Sequence, residues 1–111
     1  MHHELCFGCG QANLFGLQLE LERVAGGVEG RFFVKQDHQG PEGFAHAGVL
    51  TAALEDAIAL AGGERPTWLS VELLAPAPVG TFVVVRAEGL SAVACDEQGQ
   101  VLARAAGILA G

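Results

Sequence analysis

The sequence predicts an α+β domain in which one long helix is wrapped by a curved antiparallel sheet of about five to six strands. Three observations carry this. A single long apolar segment at helical spacing, "HAGVLTAALEDAIALAGG" (His46 to Gly63), stands near the middle of the chain. Two β-rich runs precede it and about four follow. No repeat, linker or low-complexity tract divides the 111 residues, so residues 1–111 read as one domain, long enough for one real core.

Each element has its own warrant. "LQLELERV" (Leu17 to Val24) alternates Leu17, Leu19 and Leu21 with Gln18, Glu20 and Glu22, the pattern of a half-buried strand. "AGG" (Ala25 to Gly27) is a turn, and "VEGRFFVK" (Val28 to Lys35) completes a hairpin. "QDHQGPEGFA" (Gln36 to Ala45) is polar and broken by glycine and proline, and is expected to be a loop. The helix is expected from His46 or Ala47 to Leu60, stopped by Gly62 and Gly63. Leu50, Leu54, Ala57, Ile58 and Ala61 share one face, and Ala52, Ala53, Ala59 and Leu60 leave most of the rest apolar. Further strands are read in Thr67 to Ala75, Thr81 to Glu88 and Leu90 to Ala110, the last dividing at a Glu97 to Gly99 turn.

Composition excludes several classes. A net charge of -7, with only six basic residues, leaves no basic cluster for a nucleic-acid backbone. No apolar run reaches membrane-span length, and the first residues have neither a basic nor an apolar leader region. A cytoplasmic, mature protein is expected. Half the residues are hydrophobic and the mean hydropathy is +0.36, which points to apolar surface used in a subunit interface.

The three cysteines, Cys6, Cys9 and Cys95, fit a reducing compartment. Cys6 and Cys9 form a lone Cys-x-x-Cys in "CFGCG". A structural zinc site wants four ligands, and His2 and His3 complete a set only if the terminus folds back. The expectation is a glycine-rich loop with two reduced thiols and no cofactor, with metal binding as the sharper alternative that a metal assay decides.

Adjacent carboxylates, Glu55 and Asp56, interrupt the apolar helix. At 100° per residue they lie about 120° and 140° from the centre of the apolar face, on opposite flanks, so one is expected in a groove and the other in solvent. A partly desolvated carboxylate suits a general base or nucleophile. The backbone N–H groups of Ala47 and Gly48, at the helix start, suit an oxyanion. Ala47 and Glu55 are about 12 Å apart along the axis, so they serve one carbonyl only if two helices pair antiparallel across a two-fold axis.

At this point the chain resembles a family. "CFGCGQANLFGLQLEL" is similar to a C-F-x-C-G-x-x-N-P-x-G-L opening, and "HQGPEGFAHAGVLTAALEDA" to an H-x-G-x-x-G-x-x-H-G-G segment ending in Asp or Glu. "LSVELLAPAPVG" and "DEQGQVLARAAG" resemble a Pro-x-x-x-Gly strand end and a closing hairpin. Together, and in this order, these resemble hotdog-fold acyl-CoA thioesterases of the phenylacetic-acid-degradation group. The resemblance implies a dimer, or a tetramer made of two such dimers, with active sites at the interface and an acyl-CoA or acyl-thioester substrate. Glu55, nine residues after His46, matches the catalytic carboxylate, and the Ala47 amide the oxyanion donor. His38, Gln39 and Gly40 match positions that line the approach and His46 one that shapes the loop before the helix, Thr67 lies one place from the group's Thr or Ser before the third strand, and Arg65, Arg86 or Arg104 are left to meet the phosphates. The motif reads His-Ala-Gly where the group has His-Gly-Gly. Two other activities remain open at this stage: a non-hydrolytic module binding an acyl or aromatic ligand, and a dehydratase.

Overall fold

A computed structural model describes residues 2–109. Six strands and one long helix form in the order β1 (Glu20–Val24), β2 (Gly27–Phe33), α1 (Ala47–Gly62), β3 (Trp68–Leu73), β4 (Phe82–Glu88), β5 (Ser91–Cys95) and β6 (Val101–Ile108). A 3-10 turn at Gln36–His38 precedes the helix. The strands make one antiparallel sheet in the order β1-β2-β4-β5-β6-β3. Because β3 joins the far side of β6, the chain crosses the whole sheet through α1, which lies over its middle, most closely against β4 and β5.

Alternation along the strands decides which face receives the helix. In β4, Val83, Val85 and Ala87 are buried, and Arg86 and Glu88 are exposed. In β5 and β6 the inward positions are small: Ala92, Ala94, Ala103 and Ala105. Small inward side chains let the helix, with Leu50, Ala53, Leu54, Ala57 and Ile58 fully or nearly fully buried, sit close to the sheet. The outward face carries cross-strand ion pairs, Glu29 with Arg86 and Glu72 with Arg104, each between register partners.

The first strand is shorter than its alternation predicts. Gln18 adopts a left-handed φ of 51°, which ends the extended run before Glu20. Leu17 and Leu19 are still buried, but their N–H groups donate to the carbonyls of Phe7 and Gly8 instead of to a strand. The region 36–45 is mostly a loop as expected, and the end of the last predicted strand at Ala110 lies outside the described residues. Among the described residues no helix is long and apolar enough to cross a membrane.

Candidate active site

The start of α1 is built by the loop before it. His46 is the N-cap, with extended φ and ψ of -62° and 143°, and its Nδ1 accepts from the Gly48 N–H at 2.8 Å. The Val49 N–H donates to the His46 carbonyl at 2.9 Å. Gly48 is therefore not an open donor, a correction to the sequence reading: its amide is already occupied by the cap. The Ala47 N–H meets no acceptor among the described residues. Ala47 lies in the helix and is not a positive-φ residue, so its methyl group costs nothing in backbone strain. Beside it opens an apolar depression lined by Ala45, His46, Leu50, Leu73 and Leu74.

Two other predicted lining residues hold the loop together. Gln39 spans it, donating from Nε2 to the Gln36 carbonyl and accepting the Gly43 N–H at Oε1. Gly40 packs against His46 so closely that any side chain would strike the His46 Cα. His38 does not line an approach. It is 2% exposed, its Nδ1 accepts from the Lys35 N–H, its Nε2 is 3.2 Å from the Gly16 carbonyl, and its ring stands edge-on to Phe7 and Phe32. Nδ1 closes the turn on Lys35 and Nε2 ties the loop to the N-terminal segment at Gly16, so neither nitrogen faces an approach, which removes His38 from the substrate-binding set. Thr67 is exposed, and its N–H and hydroxyl both donate to the Ile108 carbonyl at the sheet edge.

Glu55 and Asp56 separate, though not in the expected sense. Glu55 is half-buried, and both its carboxylate oxygens lie within hydrogen-bonding distance of Arg65 Nη1. That hydrogen bond, above all, raises the Arg65 pKa further, so the guanidinium stays charged. Asp56 is the buried member, 3% exposed, where solvent was expected. The N-terminal segment folds back over it. Cys6 Sγ donates to Asp56 Oδ2 at 3.3 Å, and His2 Nδ1 and Arg65 Nη2 each stand 3.6 Å from Oδ1. Burial, the largest cause, pushes the neighbouring Cys9 thiol up to about 11. The helical wheel misplaced Asp56 because it considers only the helix, and the cover comes from residues some fifty positions away in sequence.

The three arginines left for phosphates are committed elsewhere within the protomer. Arg65 holds Glu55, while Arg86 and Arg104 pair with Glu29 and Glu72 on the sheet face opposite the helix.

A single helix wrapped by a six-stranded antiparallel sheet is the hotdog fold, which this chain shares with solved structures of thioesterase-superfamily proteins. A thioesterase superfamily protein matches with a TM-score of 0.80 at 22% identity, over 97% of this chain and 63% of that one. The present chain thus spans less than two thirds of that relative's length. The Escherichia coli PaaI protein of the phenylacetic acid degradation operon matches with a TM-score of 0.74 at 18% identity, over 89% and 84%. A Streptococcus mutans protein, bound in its crystal to acetyl-CoA, matches with a TM-score of 0.67 at 15% identity, over 83% and 91%. No family model and no curated protein matches the sequence.

Proposed function

We propose that the protein is an acyl-CoA thioesterase acting as a homodimer, each active site combining the Ala47 amide of one subunit with Glu55 of the other. The open Ala47 N–H at the positive end of α1, set beside an apolar depression, is the observation that carries this reading. The acetyl-CoA bound to the Streptococcus mutans structure supports the substrate class. Exposed Trp68, Leu73, Leu74 and Ile108 cluster at the unpaired β3 edge, where a second sheet edge adds naturally.

In the reaction, the thioester carbonyl oxygen accepts from the Ala47 N–H, which stabilises the charge that develops on attack. Glu55, released from Arg65 as substrate enters, takes a proton from water while the water oxygen bonds to the carbonyl carbon. The C–S bond then breaks, and the CoA thiolate leaves and takes up the proton. A panel of short, long and aromatic acyl-CoAs tests this. Glu55→Ala is expected to lower kcat at least about a hundredfold, the scale of a positioned general base, with the far-ultraviolet circular dichroism unchanged. Equal rates for wild type and Glu55→Ala would sink the proposal.

The Arg65 contact favours one alternative, a module that binds acyl-CoA without hydrolysing it because both Glu55 oxygens stay occupied. Saturable binding with no release of free CoA thiol by the wild-type protein would select that reading.

A further inference from the structure

From the cluster beneath the folded-back N-terminal segment we infer a structural zinc site formed by His2, Cys6, Cys9 and Asp56. Each residue offers one ligand atom, and all four atoms lie within 4.8 Å of one another. A tetrahedron with metal–sulfur bonds of about 2.3 Å and metal–nitrogen or metal–oxygen bonds of about 2.0 Å has edges of roughly 3.3–3.8 Å. Four of the donor–donor distances found here are 3.1 Å from His2 Nδ1 to Cys9 Sγ, 3.7 Å from His2 Nδ1 to Cys6 Sγ, 3.3 Å from Cys6 Sγ to Asp56 Oδ2 and 3.6 Å from His2 Nδ1 to the other Asp56 oxygen, Oδ1. A cation at the centre shortens none of these four by more than a few tenths of an ångström, and every remaining separation between ligand atoms is within 4.8 Å.

The need for a cation comes from Asp56. A carboxylate in the interior is costly unless it is paired or coordinates a metal. Here the one hydrogen bond to Asp56 among the described residues comes from a thiol, and its ion pair with the half-exposed Arg65 is long, at 3.6 Å. A thiol donor and a long ion pair compensate a buried charge less well than a zinc ion, which would take the carboxylate and both thiolates together.

The backbone is shaped for this purpose. Gly8 lies so close over Asp56 that a Cβ would collide with the carboxylate, and a Cβ on Gly10 would strike the backbone of Cys6 and Glu4. The Gly10 N–H donates to the Cys6 carbonyl at 2.9 Å, closing a tight turn that points both sulfurs inward. Two sulfurs, one imidazole and one carboxylate suit zinc, and four protein ligands leave no open position, so the ion holds structure and does not activate water. It pins the N-terminal segment to the helix flank next to Glu55. The lone Cys-x-x-Cys thereby finds its remaining ligands at His2 and on the helix.

The test uses the full chain, free of any histidine tag and grown with zinc. Elemental analysis is expected to find about one zinc per chain, and X-ray absorption at the zinc edge to show two sulfur and two nitrogen or oxygen neighbours. Reduced, metal-stripped protein titrated with Co2+ is expected to develop thiolate-to-cobalt charge-transfer bands with tetrahedral d–d bands. Cys9→Ser and Asp56→Asn are expected to lose most of the zinc, and Cys95→Ser, on β5 outside the cluster, to keep it. Because the ligand variants can misfold, the wild-type spectra decide the matter. Zinc-free protein whose reduced form gives no cobalt spectrum would overturn the site, as would a zinc shell without sulfur. Neither result bears on whether Glu55 hydrolyses thioesters, so this inference stands or falls apart from the proposed activity.

Discussion

At Ala47 the sequence and the structure address the same methyl group. A helical φ makes the methyl harmless, and the position's value lies in its N–H. This permits a clean removal of the donor. Proline is tolerated at the first helical residue, and His46 already has the extended conformation that a following proline demands. Ala47→Pro is therefore expected to keep the fold and to lower kcat by about a hundredfold to a thousandfold, the scale of one lost oxyanion donor. Full activity in a folded Ala47→Pro protein would remove the amide from the mechanism. His38 makes the opposite case. Since its two nitrogens and its ring are all engaged in the core, His38→Ala is expected to cost about 2–3 kcal/mol in urea denaturation, from lost hydrogen bonds and packing. An unchanged denaturation midpoint with a raised KM would return His38 to the substrate.

At the scale of the element, α1 shows why a nearly all-round apolar helix still has sharp ends. His46 caps its start, and Gly63 closes it with a φ of 75°. Arg23 reaches from β1 to donate to the carbonyls of Leu60 and Ala61 at 2.9 and 3.3 Å, placing a positive charge at the negative end of the dipole. Gly63→Ala puts a Cβ in left-handed backbone and is expected to cost about 1 kcal/mol, read as a lower melting temperature with unchanged kcat. The helix was legible because glycines and an apolar period mark it unambiguously. The extent of β1 was not, because the alternation of Leu17, Leu19 and Leu21 persists through a backbone reversal at Gln18 that periodicity does not register.

For the whole molecule the question is how the start and the middle of one helix come to serve a single carbonyl. An antiparallel pair of helices across a two-fold axis gives two sites, each using one amide and one carboxylate from different chains. Mixing Ala47→Pro with Glu55→Ala, both inactive alone, is then expected to restore about a quarter of wild-type activity, since half the random dimers are mixed and each holds one intact site. Kinetics of the refolded mixture measure it, and no recovery in demonstrably mixed dimers would place both groups in one chain or exclude one of them.

By itself the sequence determined the α+β class, the helix and its stops, the strand count, and the matching of Glu55 and Ala47 to a thioesterase-type motif. These features are local or periodic, and the order of residues along the chain contains them. Only the tertiary structure decided that Gly48 is occupied, that His38 belongs to the core, and that Glu55 rests on Arg65. It also buried Asp56 instead of Glu55, beneath Cys6, Cys9 and His2. For Gly48 the partner is local, the His46 cap two residues before it, and only the side chain's orientation decided the contact. For the other three, burial and hydrogen-bond partnership depend on what covers a residue, and here the cover comes from parts of the chain that no spacing rule connects.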